Sequence, residues 1–187
     1  MANTLSNMLP LGTTAPHFEL RDTISDTFVT LETITGKKGT VILFICNHCP
    51  FVIHVNKEIT AIANNYLKKG IGFAAISSND AIKYPQDAPD NMKLHAEMEN
   101  YPFPYLYDEN QTIAKAYDAA CTPDIFVFDT NLKLVYRGQL DDSRPENGLP
   151  ITGSDLTHAL NCLIDCKENK TTQKPSIGCN IKWKVPF

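Results

Sequence analysis

Two cysteines separated by two residues are the strongest chemical feature of the sequence. Cys46 and Cys49 follow a continuous apolar run, and Pro50 comes directly after the second cysteine. A cysteine reacts as its thiolate, and the free N–H groups at a helix N-terminus stabilise that negative charge. Because proline suits the first turn of a helix, we expect Cys49 to lie at a helix N-terminus and to be the nucleophile. Cys46 is close enough along the chain to form a disulfide with it.

A second feature is the tripeptide Cys121-Thr122-Pro123, which directly precedes an apolar strand. A cis peptide bond before proline can bend a chain at such a place, so Thr122–Pro123 is a candidate for the cis form, with an ordinary trans turn as the alternative. Cys121 would lie beside this proline as a third thiol. Together with Cys46 and Cys179, it is a candidate to resolve an oxidised Cys49.

The cysteine pair also admits a metal-binding interpretation, since thiolates with imidazole suit Cu(I) or Zn²⁺. A zinc site needs a second pair of ligands, and the sequence has no second C-x-x-C and no H-x₃-H motif. We therefore predict no metal and no cofactor, and keep a non-enzymatic copper- or zinc-binding role as an alternative. His48 either assists the neighbouring Cys49 as an imidazolium or proton acceptor, or is a solvated turn residue.

The elements that position these residues are those of an α/β domain. Residues 40–45 are apolar without alternation, which favours a strand buried on both faces, and residues 72–76 repeat the pattern. Helical spacing of apolar residues between 50 and 69 completes a βαβ unit. We further predict helices at 90–99, 111–119 and 154–167, a short strand at 103–107, and hairpins formed by 17–20 with 27–31 and by 124–128 with 133–137.

Length, composition and charge exclude several classes of protein. The chain has 187 residues, 43% of them hydrophobic, which predicts one domain over 1–187 with a loose lead-in at 1–11 and a tail at 168–187. Its 17 basic and 21 acidic residues leave a net charge of −4, which argues against nucleic acid or an anionic membrane as partner. Six cysteines are too few for a disulfide scaffold. Since no signal-peptide pattern opens the sequence, we expect reduced thiols in the cytoplasm.

Taken together, these motifs resemble the thioredoxin-like fold and, within it, the redoxin or AhpC/TSA family that contains the peroxiredoxins. The matching pieces are Gly12-x-x-Ala15-Pro16-x-Phe18, Val41–Ile45, Cys49-Pro50, Thr122-Pro123 and Asp129. The segment Phe44–Val52, with Cys-Asn-His-Cys-Pro inside it, resembles an uncharacterised peroxiredoxin-like subgroup. The resemblance covers roughly residues 10–184. It implies a central mixed sheet flanked by helices, with the N-terminal hairpin as an extension.

The sequence departs from the peroxiredoxin pattern at the positions that polarise a peroxide. In the family motif P-x-x-x-T-x-x-C, Cys49 matches the peroxidatic cysteine, but Ile42 replaces the proline and Cys46 replaces the threonine. The thioredoxin motif W-C-G-P-C fits no better, because its second cysteine falls on Val52. The family's arginine has no match after Pro123. Two arginines could substitute for it, Arg137 and Arg144.

The resemblance and the cysteine pair together predict a thiol-dependent antioxidant oxidoreductase. Cys49 would attack a peroxide or a protein disulfide, and Cys46 would resolve the product as an intramolecular disulfide. An external dithiol, thioredoxin-like or of low molecular weight, would restore both thiols. The family resemblance favours a peroxide, whereas the missing proline and threonine favour a disulfide substrate of thioredoxin type. The predicted supporting residues are His48, Thr122, Pro123, Cys121 and Arg137.

Overall fold

A computed structural model describes residues 3–184; residues 1–2 and 185–187, the ends of the predicted lead-in and tail, lie outside the described residues. The strands are β1 (Asn3–Leu5), β2 (Glu19–Asp22), β3 (Phe28–Thr30), β4 (Gly39–Phe44), β5 (Ile71–Ser77), β6 (Tyr105–Tyr107), β7 (Cys121–Thr122), β8 (Asp124–Phe128), β9 (Leu134–Gly138) and β10 (Ile177–Asn180). The helices are α1 (Leu31–Ile34), α2 (Pro50–Leu67), α3 (Pro89–Met98), α4 (Thr112–Ala116) and α5 (Ser154–Ile164). Between residues 3 and 184, no helix combines the length and apolar character that crossing a membrane requires.

The centre of the fold is a seven-stranded mixed sheet in the order β3-β2-β6-β5-β4-β8-β9. Strand β4 pairs in parallel with β5 and antiparallel with β8, while β2 and β3 form the predicted N-terminal hairpin at one edge. The fold class is therefore confirmed as α/β and thioredoxin-like, with a central mixed sheet flanked by helices.

Alternate side chains of β4 enter two separate cores, which explains why its sequence is apolar without alternation. Val41 and Leu43 pack with α2, α3 and α5, whereas Ile42 and Phe44 pack on the other face with α1 and α4. Every residue of β4 and β5 is buried. This arrangement makes the end of β4 a rigid platform for the residues that follow it.

Residues 3–5 of the lead-in and residues 177–180 of the tail are not loose, contrary to the sequence-based prediction. Strand β1 from the lead-in and strand β10 from the tail form a second, antiparallel sheet in the order β1-β10-β7. The prediction was wrong because these strands are short and lack an apolar periodicity, so backbone pairing rather than side-chain burial defines them. Gly178 permits a close approach, since a Cβ atom there would lie 1.9 Å from the carbonyl oxygen of Thr122.

Candidate active site

Strand β4 and helix α2 place the two cysteines of the C-x-x-C motif at the same turn. Cys49 is the N-cap residue of α2, with extended backbone angles, and Pro50 occupies the first turn. The backbone N–H groups of Val52 and Ile53 both donate to the Cys49 carbonyl oxygen at 3.0 Å. The side chain of Cys49 is 0% exposed and that of Cys46 is 1% exposed. The nucleophile candidate thus lies at a helix N-terminus, as expected, but it is closed to bulk solvent.

The Thr122–Pro123 peptide bond is cis, as the sequence suggested, and it faces this turn. Cys49 Sγ lies 3.1 Å from the carbonyl oxygen of Thr122, and Cys46 Sγ lies 3.4 Å from Thr122 Oγ1. Thr122, the first residue of the cis bond, therefore contacts both thiols of the motif.

A third thiol, from Cys179 of β10, completes the immediate surroundings of Cys49. Cys179 is paired in register with Thr122 and is 2% exposed. As a thiolate, Cys49 accepts hydrogen bonds from the thiols of Cys46 and Cys179 and from the backbone N–H of Cys179. Cys179 was one of the three resolving candidates in the sequence, but only the strand pairing places it in the site.

The three thiols hold their protons unequally. The hydrogen bond from Cys46 is the main reason that the pKa of Cys49 falls to about 5, although burial acts against this shift. The pKa of Cys46 is raised far above that of an ordinary thiol by its hydrogen bond to Cys49, by burial and by the charge of Asp87. Burial and the contact with Cys49 raise the pKa of Cys179 to about 12. Of the three thiols, Cys49 is therefore the one that ionises most readily.

Asp87 is a buried carboxylate at this site that the sequence interpretation missed. It is 0% exposed, and its Oδ1 atom accepts the backbone N–H of Asn47 at 2.9 Å. Its Oδ2 atom accepts the side-chain amide of Asn79 at 2.8 Å. Asp87 lies in a 3₁₀ turn over Pro85–Asp87, inside a polar segment where nothing distinguishes it from other acidic residues. Its contacts hold the loop between the two cysteines.

His48 turns towards Asp87 rather than towards Cys49. Its Nδ1 atom lies 2.7 Å from Asp87 Oδ2, and its ring stacks on Tyr84 at 5.7 Å between centroids. His48 Nδ1 is thus directed to the buried carboxylate. Among the described contacts, none joins His48 to Cys49 in the way that direct assistance to the thiolate would require.

One group of donor atoms has the composition of a metal site. Cys46 Sγ, a ring nitrogen of His48 and a carboxylate oxygen of Asp87 lie within 4.8 Å of one another. These donor types suit a borderline metal such as zinc. However, Asp87 is already engaged by two N–H donors and by His48. We therefore assign the cluster to the polar support of the loop and derive no metal chemistry from it.

Arg137, the predicted supporting arginine, lies elsewhere, which corrects that expectation. Its Nη1 atom donates to Gln173 Oε1 at 2.8 Å, and its register partner is Phe126, which belongs to the opposite core from Cys49. A one-residue change along a strand moves a side chain to the other face, so spacing in the sequence could not decide this. Arg144 instead lines a small groove that includes Pro123.

Cys121 is buried beside the cis peptide but does not hydrogen-bond to Cys49. Its Sγ atom lies 3.6 Å from the carbonyl oxygen of Pro123. Burial and the neighbouring Asp124 carboxylate raise the pKa of the Cys121 thiol. Among the predicted site residues, the structure thus brings together Cys46, Cys49, Thr122 and Pro123. Cys121 and Arg137 make no hydrogen bond to Cys49 among the described contacts.

Comparison with known proteins places the chain in a family. Residues 10–155 match the Redoxin family. The chain is similar to an uncharacterised conserved protein from Geobacillus kaustophilus, with 57% identity, a TM-score of 0.98, and coverage of 100% of this chain and 99% of that one. A hypothetical protein from Sinorhizobium meliloti 1021 is 42% identical, with a TM-score of 0.95 and coverage of 98% and 100%.

A more distant structure shares the fold. A peroxidoxin from Mycobacterium tuberculosis is 19% identical with a TM-score of 0.62, covering 84% of this chain and 97% of that one. No match was found among curated proteins. The family match spans most of the chain, and the thiol pair lies at the junction of β4 and α2 beside a cis-proline. The chain belongs to the Redoxin family and is a thiol oxidoreductase.

Proposed function

We propose that the protein reduces hydroperoxides with Cys49 as nucleophile and Cys46 as resolving thiol. The observation that carries the proposal is the direct contact between a low-pKa Cys49 thiolate and the Cys46 thiol. A thiolate is the reactive form, and a thiol already in contact can capture its oxidised product without a large movement.

The proposed reaction has two steps in the protein. The Cys49 thiolate attacks one peroxide oxygen, the O–O bond breaks, and the departing oxygen takes up a proton to leave as water or an alcohol. Cys49 is then a sulfenic acid. Cys46 attacks the Cys49 sulfur, a disulfide forms, and the hydroxyl group leaves as water with the Cys46 proton. An external dithiol reduces the disulfide and is itself oxidised.

The burial of both thiols supports a small oxidant. Because Cys49 is 0% exposed and Cys179 of β10 is in contact with it, a folded protein carrying a disulfide could reach the Cys49 sulfur only after a local rearrangement of the chain. A hydroperoxide needs a much smaller opening.

Disulfide exchange is the second candidate, and the absence of an arginine contact favours it. Among the described residues, those that lower the pKa of Cys49 are Cys46, Cys179 and Thr122, none of which is cationic. Peroxide reduction without an arginine would require the thiols of Cys46 and Cys179 to stabilise the peroxide oxygens. If they do not, the same thiol pair would reduce small disulfides through a mixed disulfide on Cys49.

Stopped-flow oxidation of the reduced protein distinguishes the two candidates. We expect hydrogen peroxide to consume Cys49 at least tenfold faster than a small aliphatic disulfide at equal concentration and pH 7. Cys49→Ser should abolish the reaction, and Cys166→Ser, at an exposed cysteine, is the matched control that should leave it unchanged. Faster reaction with the disulfide would overturn the peroxide proposal.

The proposal also includes the reductant that restores the thiols and the compartment that supplies it. Regeneration of the Cys46–Cys49 disulfide requires a dithiol reductant, either a thioredoxin-like protein or a low-molecular-weight thiol. A reducing compartment such as the cytoplasm would supply it. Reduction of the isolated disulfide by a thioredoxin, followed against reduction by glutathione, identifies which class of donor is the faster.

A further inference from the structure

We propose that Cys179 is a second resolving thiol, which captures oxidised Cys49 in place of Cys46 and forms a Cys49–Cys179 disulfide. The inference rests on the proposed role of Cys49 as nucleophile. It adds a reactive group from the C-terminal strand to a chemistry otherwise confined to the C-x-x-C turn.

The position of Cys179 is fixed by backbone pairing on both sides of β10. It faces Thr122 of β7 and Asn3 of β1 in register, and the absence of a side chain at Gly178 allows the close approach to Thr122. Thr122 also supplies the carbonyl oxygen that lies 3.1 Å from Cys49 Sγ. Register with Thr122 therefore brings Cys179 next to the group that Cys49 contacts, and the Cys179 thiol hydrogen-bonds to Cys49.

The strand is anchored beyond Cys179 as well. The backbone N–H of Asp80 donates to the Lys182 carbonyl oxygen at 2.9 Å, and the Lys182 N–H donates to Asn79 Oδ1 at 2.8 Å. Gln111 Nε2 donates to the same Lys182 carbonyl at 2.9 Å. Cys179 is thus part of an ordered strand and not of a tail that must first fold back over the site.

The charges around the two candidate thiols differ in sign. Cys46 lies beside the buried Asp87 carboxylate, which opposes formation of a Cys46 thiolate. The positive charge of Lys182 acts in the other direction on Cys179, because it lowers the pKa of that thiol. Once Cys49 is oxidised, its own negative charge disappears and no longer raises the pKa of either neighbour. Cys179 is then the thiol whose surroundings oppose deprotonation less.

The step balances without any further reactant. Cys179 attacks the sulfur of the Cys49 sulfenic acid, an S–S bond forms, the S–O bond breaks, and water leaves with the Cys179 proton. If Cys49 instead carries a mixed disulfide, Cys179 displaces the substrate thiol, which leaves with that proton. Both routes end in the same Cys49–Cys179 disulfide, which ties β10 to the start of α2.

A variant without Cys46 isolates this reaction. Reduced Cys46→Ser is treated with one equivalent of hydrogen peroxide, or separately with hydroxyethyl disulfide, and its tryptic peptides are mapped without reduction. We expect a cross-link between residues 39–57, which carry Cys49, and residues 171–182, which carry Cys179. In the wild type, by contrast, a Cys46–Cys49 disulfide would remain inside the first peptide, so the two links cannot be confused there either.

Two double variants test whether Cys179 itself is responsible. With Cys46→Ser and Cys179→Ser together, dimedone should trap at least tenfold more sulfenic acid on Cys49 than in Cys46→Ser alone. With Cys46→Ser and Cys121→Ser, the matched control, the cross-link should form as in Cys46→Ser. Each double variant replaces one buried cysteine in addition to Cys46, so a general loss of folding affects both.

The two oxidants separate the failure of this inference from the failure of the proposed function. Equal trapping in Cys46→Ser and its Cys179→Ser derivative, with no cross-link from either oxidant, would overturn a resolving role for Cys179. If peroxide fails to oxidise Cys49 in every variant, the peroxidase proposal is wrong. We expect hydroxyethyl disulfide to form a mixed disulfide on Cys49 in that case, and the presence or absence of the cross-link then decides the role of Cys179.

Discussion

Cys179 and Thr122 are register partners in the small sheet, and both contact the Cys49 sulfur. A strand from the end of the chain thus meets the cis peptide that precedes β8. The reactive turn is completed by hydrogen-bond donors that are neutral thiols rather than an arginine. This arrangement explains how a buried cysteine can carry a negative charge, because the favourable hydrogen bonds exceed the cost of burial.

Cys46→Ala should raise the pKa of Cys49 from about 5 towards the ordinary thiol value of about 8.5, because the Cys46 hydrogen bond is the main cause of the shift. At pH 6 most Cys49 is thiolate in the wild type, whereas most would be protonated in the variant. Thiolate absorbance near 240 nm against pH measures the change. Cys121→Ala is the control, and an equal rise there would show that packing rather than the Cys46 contact is responsible.

Asp87→Asn should destabilise the reduced protein by about 1–3 kcal/mol, because an amide cannot accept from both Asn47 and Asn79 as the carboxylate does. The charge facing His48 is also lost. Urea denaturation of the reduced protein measures the effect. Glu97→Gln, the same chemical change at an exposed position of α3, should leave the free energy of unfolding almost unchanged.

Arg137→Ala should leave the rate constant of Cys49 with hydrogen peroxide within about twofold of the wild type, since Arg137 contacts Gln173 and not the thiols. Stopped-flow kinetics under pseudo-first-order conditions measure it. A loss of tenfold or more, without a change in the pKa of Cys49, would mean that Arg137 reaches the bound substrate after all.

Asp124→Asn should make stability less dependent on pH. Burial raises the pKa of Asp124 to about 7, so between about pH 4 and 7 the folded state keeps a proton that the unfolded state releases. The free energy of unfolding therefore falls as pH rises through this window. Relative to Asp124→Asn, the wild type should lose about 2–3 kcal/mol between pH 5 and 8. Urea denaturation at both pH values measures it, and a constant difference would contradict the buried-proton interpretation.

Much of the fold could be predicted because the relevant signals are local. The apolar run before Cys46 indicated a strand buried on both faces, and Pro50 after Cys49 indicated a helix start. These two elements alone place the cysteine pair at a strand-to-helix turn. The cis bond at Pro123 was a local expectation of the same kind, made from a proline at the entrance to a strand.

The partners of that turn depended on contacts between distant parts of the chain. Cys179 is 130 positions beyond Cys49, and it arrives through backbone hydrogen bonds of short strands that have no distinctive side-chain pattern. Asp87 reaches the loop from a polar segment, and Arg137 lies on the face of β9 that its register with β8 selects. Residue types and spacing therefore determined which thiol could be the nucleophile. Only strand pairing and register decided which groups surround it, because these depend on where distant backbones meet.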